Sequence, residues 1–194
     1  MAEGRNSMAN PVTVTLEFTP NPNTLKFVVN SQFLTRGTAN FTKKEDATKS
    51  PLAESIFAIE GIQGVMVGTN FVTITKSNAG DWDTVADSVP KAIETHLTKG
   101  LPIFVDGYDP NATQTTAGSS DVEKRIQEIL DSEIRPAVAM DGGDIQFSKF
   151  ENGIVFLQLQ GSCSSCPSSI ATLKMGVETR LKEMIPEVKE VVQI

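Results

Sequence analysis

Between Asp106 and Ser119 the chain carries Gly, Pro, Asn, Thr and Ser and almost nothing apolar. Such a tract cannot run through a hydrophobic core. It divides the chain into two units, each of which must bury its own apolar face. A length of 194 residues allows this, because ~100–200 residues per domain makes one or two domains the default. Hydrophobic residues make up 39% of the chain, enough for real cores and too many for wholesale disorder.

In the first unit, Val12 to Phe18 alternates with period two and is rich in β-branched residues, which predicts a half-buried strand. The cluster Thr19-Pro20-Asn21-Pro22-Asn23-Thr24 predicts a turn, and Leu25 to Val29 a second strand. Ser31 to Ser50 is polar and reads as irregular. Pro51 suits the first position of a short helix with Leu52, Ile56 and Ile59 on one face, ended by Gly61. Val65 to Val67 and Phe71 to Thr75 flank a Gly68-Thr69-Asn70 hairpin signal. Trp82, Val85, Val89, Ile93 and Leu97 form the apolar stripe of a second helix, with Pro90 expected to kink or offset it. The unit reads ββαββα.

In the second unit, Ser120-Asp121-Val122-Glu123 matches a capping box. Val122, Ile126, Ile129, Leu130 and Ile134 supply the helix stripe, and Arg135-Pro136 disturbs its last turns. Asp141-Gly142-Gly143-Asp144 is a turn. Ile145 to Phe150 and Ile154 to Leu159 alternate around Asn152-Gly153, a strong hairpin signal. A loop of small residues follows, then a helix from Pro167 and a last strand in Val188 to Ile194. This unit reads αββαβ. The expected fold class is α+β: two small α/β-sandwich-like domains at 11–105 and 120–194, joined by a flexible linker at 106–119.

Net charge is −7 and neither half is basic, so no electrostatic footprint for nucleic acid or anionic membrane is present. There is no apolar run of the length a transmembrane helix needs. Met1 to Asn10 lacks the apolar core of a secretory signal and is too short for an organelle presequence. The expected location is cytoplasmic, a bacterial cytosol first, with a mature mitochondrial matrix protein also compatible.

The two cysteines, Cys163 and Cys166, are spaced C-x-x-C, which points to metal or redox chemistry. They lie between a predicted strand and a helix start, where unpaired N–H groups and partial positive charge favour an anion. Thiolates there have lowered pKa values and can bind metal. Neighbouring Gly and Ser leave room for a bulky inorganic core and let backbone N–H groups reach its sulfides. Two thiols are half of a tetrathiolate site, and the chain's single His is His96 in the other unit. Two chains related by a two-fold axis can complete the set. By spacing alone a redox dithiol, half of a zinc site and half of a cluster site stand level. Pro167 after the second Cys, and a hairpin before the first, count against the redox dithiol. A Cys₄ zinc site uses the same ligands.

Ile134-Arg135-Pro136, Asp141-Gly142-Gly143-Asp144-Ile145, Gly161 to Ser169 with its C-x-x-C-P-S-S, Thr172 to Glu178 and Pro186-Glu187-Val188 closely resemble the NifU-like C-terminal domain of Nfu-type iron–sulfur proteins. Phe18 to Phe27 resembles the Nfu N-terminal domain. The resemblance implies a non-enzymatic scaffold or carrier, with no catalytic residues, that holds a [4Fe–4S] cluster between two subunits. [2Fe–2S] is not separable from it by spacing. Cys163 and Cys166 take the family's ligand positions. Implied partners are a second copy of the chain in the cluster-bound state, upstream cluster assembly machinery, and apo iron–sulfur clients such as lipoyl-synthase-like and aconitase-like enzymes. The alternatives are a thiol–disulfide redox protein and a zinc-bridged dimer.

Four other features have plainer readings. Asp141 and Asp144 are expected to shape their turn by Asx-type hydrogen bonds. His96 reads as a surface residue near a helix end, and Trp82 as core. The Thr-Pro-Asn-Pro-Asn-Thr turn is either a recognition loop or a rigid connection.

Overall fold

The computed structural model describes residues 11–111, 120–164 and 167–194. It is α+β, with two sheets that each carry helices.

The first sheet has five antiparallel strands in the order β1-β2-β5-β4-β3. β1 (Val14–Phe18) and β2 (Thr24–Val29) pair across the expected turn. β4 (Ile62–Val67) and β5 (Phe71–Lys76) form the second hairpin. α1 (Pro51–Phe57) begins with Pro51 at its start and with the Ser50 hydroxyl accepting from the Ala53 N–H at 3.2 Å. α2 (Trp82–Thr98) is capped by Asp81, whose carboxylate accepts from the Thr84 N–H at 2.9 Å. Pro90 is accommodated inside one continuous helix. Both helices cover one face of the sheet, where Phe27, Val72 and Ile74 meet Ile56, Val89 and Ile93 in a core.

Two expectations for this unit need correction. The stretch 31–50 is not wholly irregular: Ala39–Phe41 forms β3 on the edge of β4, and Lys44–Lys49 is a 3₁₀ turn. His96 is not a surface residue. It is 3% exposed, and its Nε2 lies 3.0 Å from the Pro102 carbonyl, because the chain folds back over the end of α2. That return continues to residue 111. Tyr108 stacks near Phe104 and Phe41, and the Asn111 side chain donates to the Arg36 carbonyl at 3.1 Å. Residues 112–119 of the expected linker lie outside the described residues.

The second unit starts with α3 (Asp121–Ile129), closed by the full capping box between Ser120 and Glu123. A π-helical turn (Leu130–Ile134) leads into α4 (Arg135–Met140). Pro136 has no N–H to offer the turn before it, which accounts for the local widening. The Ser132 hydroxyl donates to the Glu128 carbonyl there, at 2.7 Å. β6 (Gly143–Glu151) and β7 (Ile154–Gly161) are antiparallel around Asn152 and Gly153, both at positive φ. α5 (Pro167–Met184) crosses over the sheet and returns the chain as β8 (Glu190–Gln193), parallel to β7. Ile126, Leu130, Ile145, Leu157 and Leu181 form the centre of this core.

The two units touch. A two-layer sandwich leaves the helix-free face of its sheet open to water. Yet Lys26, Met66, Phe71 and Thr73 on that face of β2, β4 and β5 are 8%, 1%, 4% and 1% exposed. The second unit covers them, through the residues around its cysteine turn.

Candidate functional site

β7 ends at Gly161, whose φ of 61° lies in the left-handed region that glycine adopts without strain. The chain then makes a 3₁₀ turn, Ser162–Ser164, and α5 begins at Pro167. Cys163 is the middle residue of that turn and is 6% exposed. Cys166 lies outside the described residues, so the structure brings only Cys163 of the expected pair into view.

The position of Cys163 depends on a glycine in another strand. Gly143 pairs with Gly161 across β6 and β7. A side chain at 143 would collide with the Cys163 Sγ and would come within 3.2 Å of the Ser162 Oγ. The absence of a Cβ there is the space the thiol occupies. Hydrogen bonds fix the turn around it. The Ser162 hydroxyl donates to the Asp141 carbonyl at 2.6 Å, the Ser162 N–H to the Gly142 carbonyl at 3.1 Å, and the Ser164 hydroxyl to the Gly161 carbonyl at 2.8 Å. Gly142, at φ 75°, closes α4 with a bond from its N–H to the Ala139 carbonyl.

Asp144 does not serve as an Asx turn former. Its carboxylate receives the Arg135 guanidinium in a two-pronged pair, with both bonds at 2.8 Å, and the Thr38 hydroxyl at 2.5 Å. Arg135 reaches Asp131 as well, at 2.9 Å. Burial alone would make the guanidinium easier to deprotonate. The hydrogen bonds it donates to Asp144, then to Asp131, with the attraction of both charges, outweigh it and push the group further up. The pair ties the start of α4 to the start of β6, and so holds the Asp141–Gly143 floor on which Cys163 rests. Arg135, Thr38 and Gly143 were missed as site residues by sequence reasoning. Arg135 and Gly143 fall within stretches that carry the family resemblance, but nothing in their own chemistry marks a site role, and the partner of Thr38 is far off in the chain.

The Thr19–Thr24 turn is held by its own hydrogen bonds. The Thr19 hydroxyl bonds within the turn, and the Asn21 N–H and carbonyl both take part. The turn also reaches the site: the Asn21 Nδ2 donates to the Ser162 carbonyl at 2.9 Å. Trp82 lies at the margin of the first core, its indole N–H 3.2 Å from the Pro22 carbonyl. Among the described residues, no three His, Cys, Asp or Glu side chains converge to hold a metal ion. Cys163 suits a soft metal centre, at the end of a strand and just before a helix.

Residues 14–100 match the family described as scaffold protein Nfu/NifU N terminal, and residues 126–192 match the NifU-like domain. The NFU1 iron-sulfur cluster scaffold homolog, mitochondrial, of Drosophila erecta is 43% identical over 193 residues, covering 98% of this chain and 66% of that protein. The protein of the same name from Drosophila sechellia is 44% identical over 178 residues, covering 91% of this chain and 62% of that protein. The chain thus spans about two thirds or less of the length of these relatives. A solved NifU-like protein from Saccharomyces cerevisiae is 21% identical with a TM-score of 0.44, covering 55% of this chain and 95% of that one. The chain belongs to the Nfu family, carrying that family's N-terminal domain followed by a NifU-like domain. No helix among the described residues is long and apolar enough to cross a membrane.

Proposed function

We propose that this protein is a non-enzymatic carrier that holds a [4Fe–4S] cluster between two copies of the chain and hands it to apo proteins. The observation that carries the reading is Cys163, seated in a glycine cradle between a strand end and a helix start, with Cys166 three residues on in a family member. Cys163 and Cys166 from each of two chains supply the four thiolates. The cluster is cargo, so a site at the rim of two subunits suits release better than a closed cage within one. The relatives' names, iron–sulfur cluster scaffold homologs, support the same role. The partners are a second copy, an upstream assembly apparatus and apo iron–sulfur clients. The domains are taken as 11–105 and 120–194, with 106–119 between them. For location, the sequence reading favours cytosol and the relatives' names favour mitochondria; subcellular fractionation of the tagged protein decides.

Transfer is the test. Protein loaded anaerobically with iron and sulfide is mixed with an apo client of aconitase type, and client activity is followed. The carrier restores it faster than free iron and sulfide do, and Cys163→Ala or Cys166→Ala gives only the free-ion rate. A loaded protein that retains its cluster indefinitely would be a storage or structural centre. Tight zinc in a colourless protein, or disulfide reduction at a thioredoxin-like rate, would select one of the rival readings.

A further inference from the structure

The open face of the first sheet is covered by the second unit at one place: the two backbone segments that flank Cys163. The Thr73 hydroxyl donates to the Gly142 carbonyl at 2.7 Å, and Lys26 Nζ to the Met140 carbonyl at 3.0 Å. Asn21 donates to the Ser162 carbonyl. Met66 lies so close to Gly161 that a side chain there would meet its Sδ at 2.8 Å. Three polar side chains from one unit thus satisfy three carbonyls of the other around a single thiol.

The character of this contact is that of a reversible joint. Of the four covered side chains, Met66 and Phe71 are apolar, while Thr73 and Lys26 are polar groups that water solvates well when exposed. Beside it the units leave a cavity of ≈ 530 Å³ lined by Arg36, Thr38 and Phe71 from one side and by Arg135, Pro136 and Asp144 from the other. A permanent interface is packed like a core and is mainly apolar; this one mixes apolar Met66 and Phe71 with side chain-to-carbonyl hydrogen bonds and borders an open cleft.

We propose that the helix-free face of the first sheet is a dock for the cysteine turn of its own chain, and that docking and sharing of Cys163 with a second chain exclude each other. This rests on the function proposed above. Cys163 now points against Gly143 and is almost fully covered. To reach a centre shared with another chain, its sulfur must leave that cradle, which requires the 162–164 turn to shift. Gly142, Gly161 and Ser162, on both sides of the sulfur, are held by Thr73, Met66 and Asn21. The dock therefore keeps the thiol inward, and a second chain gains access when the first unit lets go. The first domain acts as a removable cover over the ligand.

The test uses full-length apo protein in a Cys166→Ser background, fully reduced with a phosphine, so that Cys163 alone is read. Thr73→Arg places a bulky cation in the centre of the dock without touching Cys163 or the first core. Alkylation of Cys163 should accelerate about tenfold or more, the factor that loss of ~1.4 kcal/mol of docking gives, and the radius of gyration from X-ray scattering should rise. Lys26→Ala, which removes the bond to the Met140 carbonyl together with the ion pair to Glu17, should show the same change at smaller size, and serves if Thr73→Arg fails to fold by circular dichroism. In the background with both cysteines, Thr73→Arg should take up iron and sulfide faster than the wild type. Unchanged alkylation and radius in both variants would overturn the dock. Faster alkylation with unchanged uptake would overturn the exclusion. Failure of every variant to take up a cluster would overturn the carrier reading, while the alkylation result, which involves no iron, still decides the dock.

Discussion

Gly143 lacks a side chain, and Cys163 sits where one would point. The backbone at 143 is not in the left-handed region, so its need for glycine is steric. Gly143→Ala must displace the thiol or bend β6. We expect a loss of about 1–3 kcal/mol in urea unfolding, the usual cost of overpacking, together with faster alkylation of Cys163, whose sulfur can no longer rest in the cradle. Asp144→Asn tests the neighbouring support. It leaves the Arg135 guanidinium without its main charge partner in a site where Asp144 is 3% and Arg135 11% exposed. Removing one member of a buried pair costs about 3 kcal/mol or more, to be read by the same unfolding measurement. Cys163 can be singled out from the sequence as a candidate because its chemistry is its own. Gly143 and Arg135 cannot, because their roles are defined by partners in other elements.

Among the elements, those with local signals were legible. The Ser120–Glu123 box, the Asn152-Gly153 turn and Pro51 at a helix start each involve residues a few positions apart. β3 was not, since Ala39–Phe41 is three residues long, too short to show alternation. The burial of His96 also escaped, because the chain that covers it arrives from beyond the helix. Tyr108 in that returning segment provides an element-scale prediction. Burial, then the nearby Asp109 and Asp46, pushes its phenol above the usual value near 10. The folded form therefore resists deprotonation more than the unfolded form does. Its stability contribution is complete below pH 10 and falls as pH climbs through the raised value. Tyr108 is the only tyrosine, so tyrosinate absorbance reports it alone. The midpoint should lie above 10 in the folded protein and return to the ordinary value in denaturant. Tyr108→Phe should lessen the alkaline loss of thermal stability.

At the scale of the whole molecule, the two-unit division was legible from the polar tract, and the contact between the units was not. Thr73 and Lys26 alternate with core residues of β5 and β2 and would face solvent in the first unit alone. Only the assembled molecule places them over the cysteine turn. The proposed sharing of the functional centre between two chains also belongs to this scale. The most direct measurement is sedimentation of the anaerobically reconstituted protein with iron analysis of each species. A shared cluster gives a brown dimer with about four iron per two chains, and colourless monomers for Cys163→Ala and Cys166→Ala. A brown monomer carrying a full cluster, or an iron-bearing dimer that survives loss of either cysteine, would contradict it.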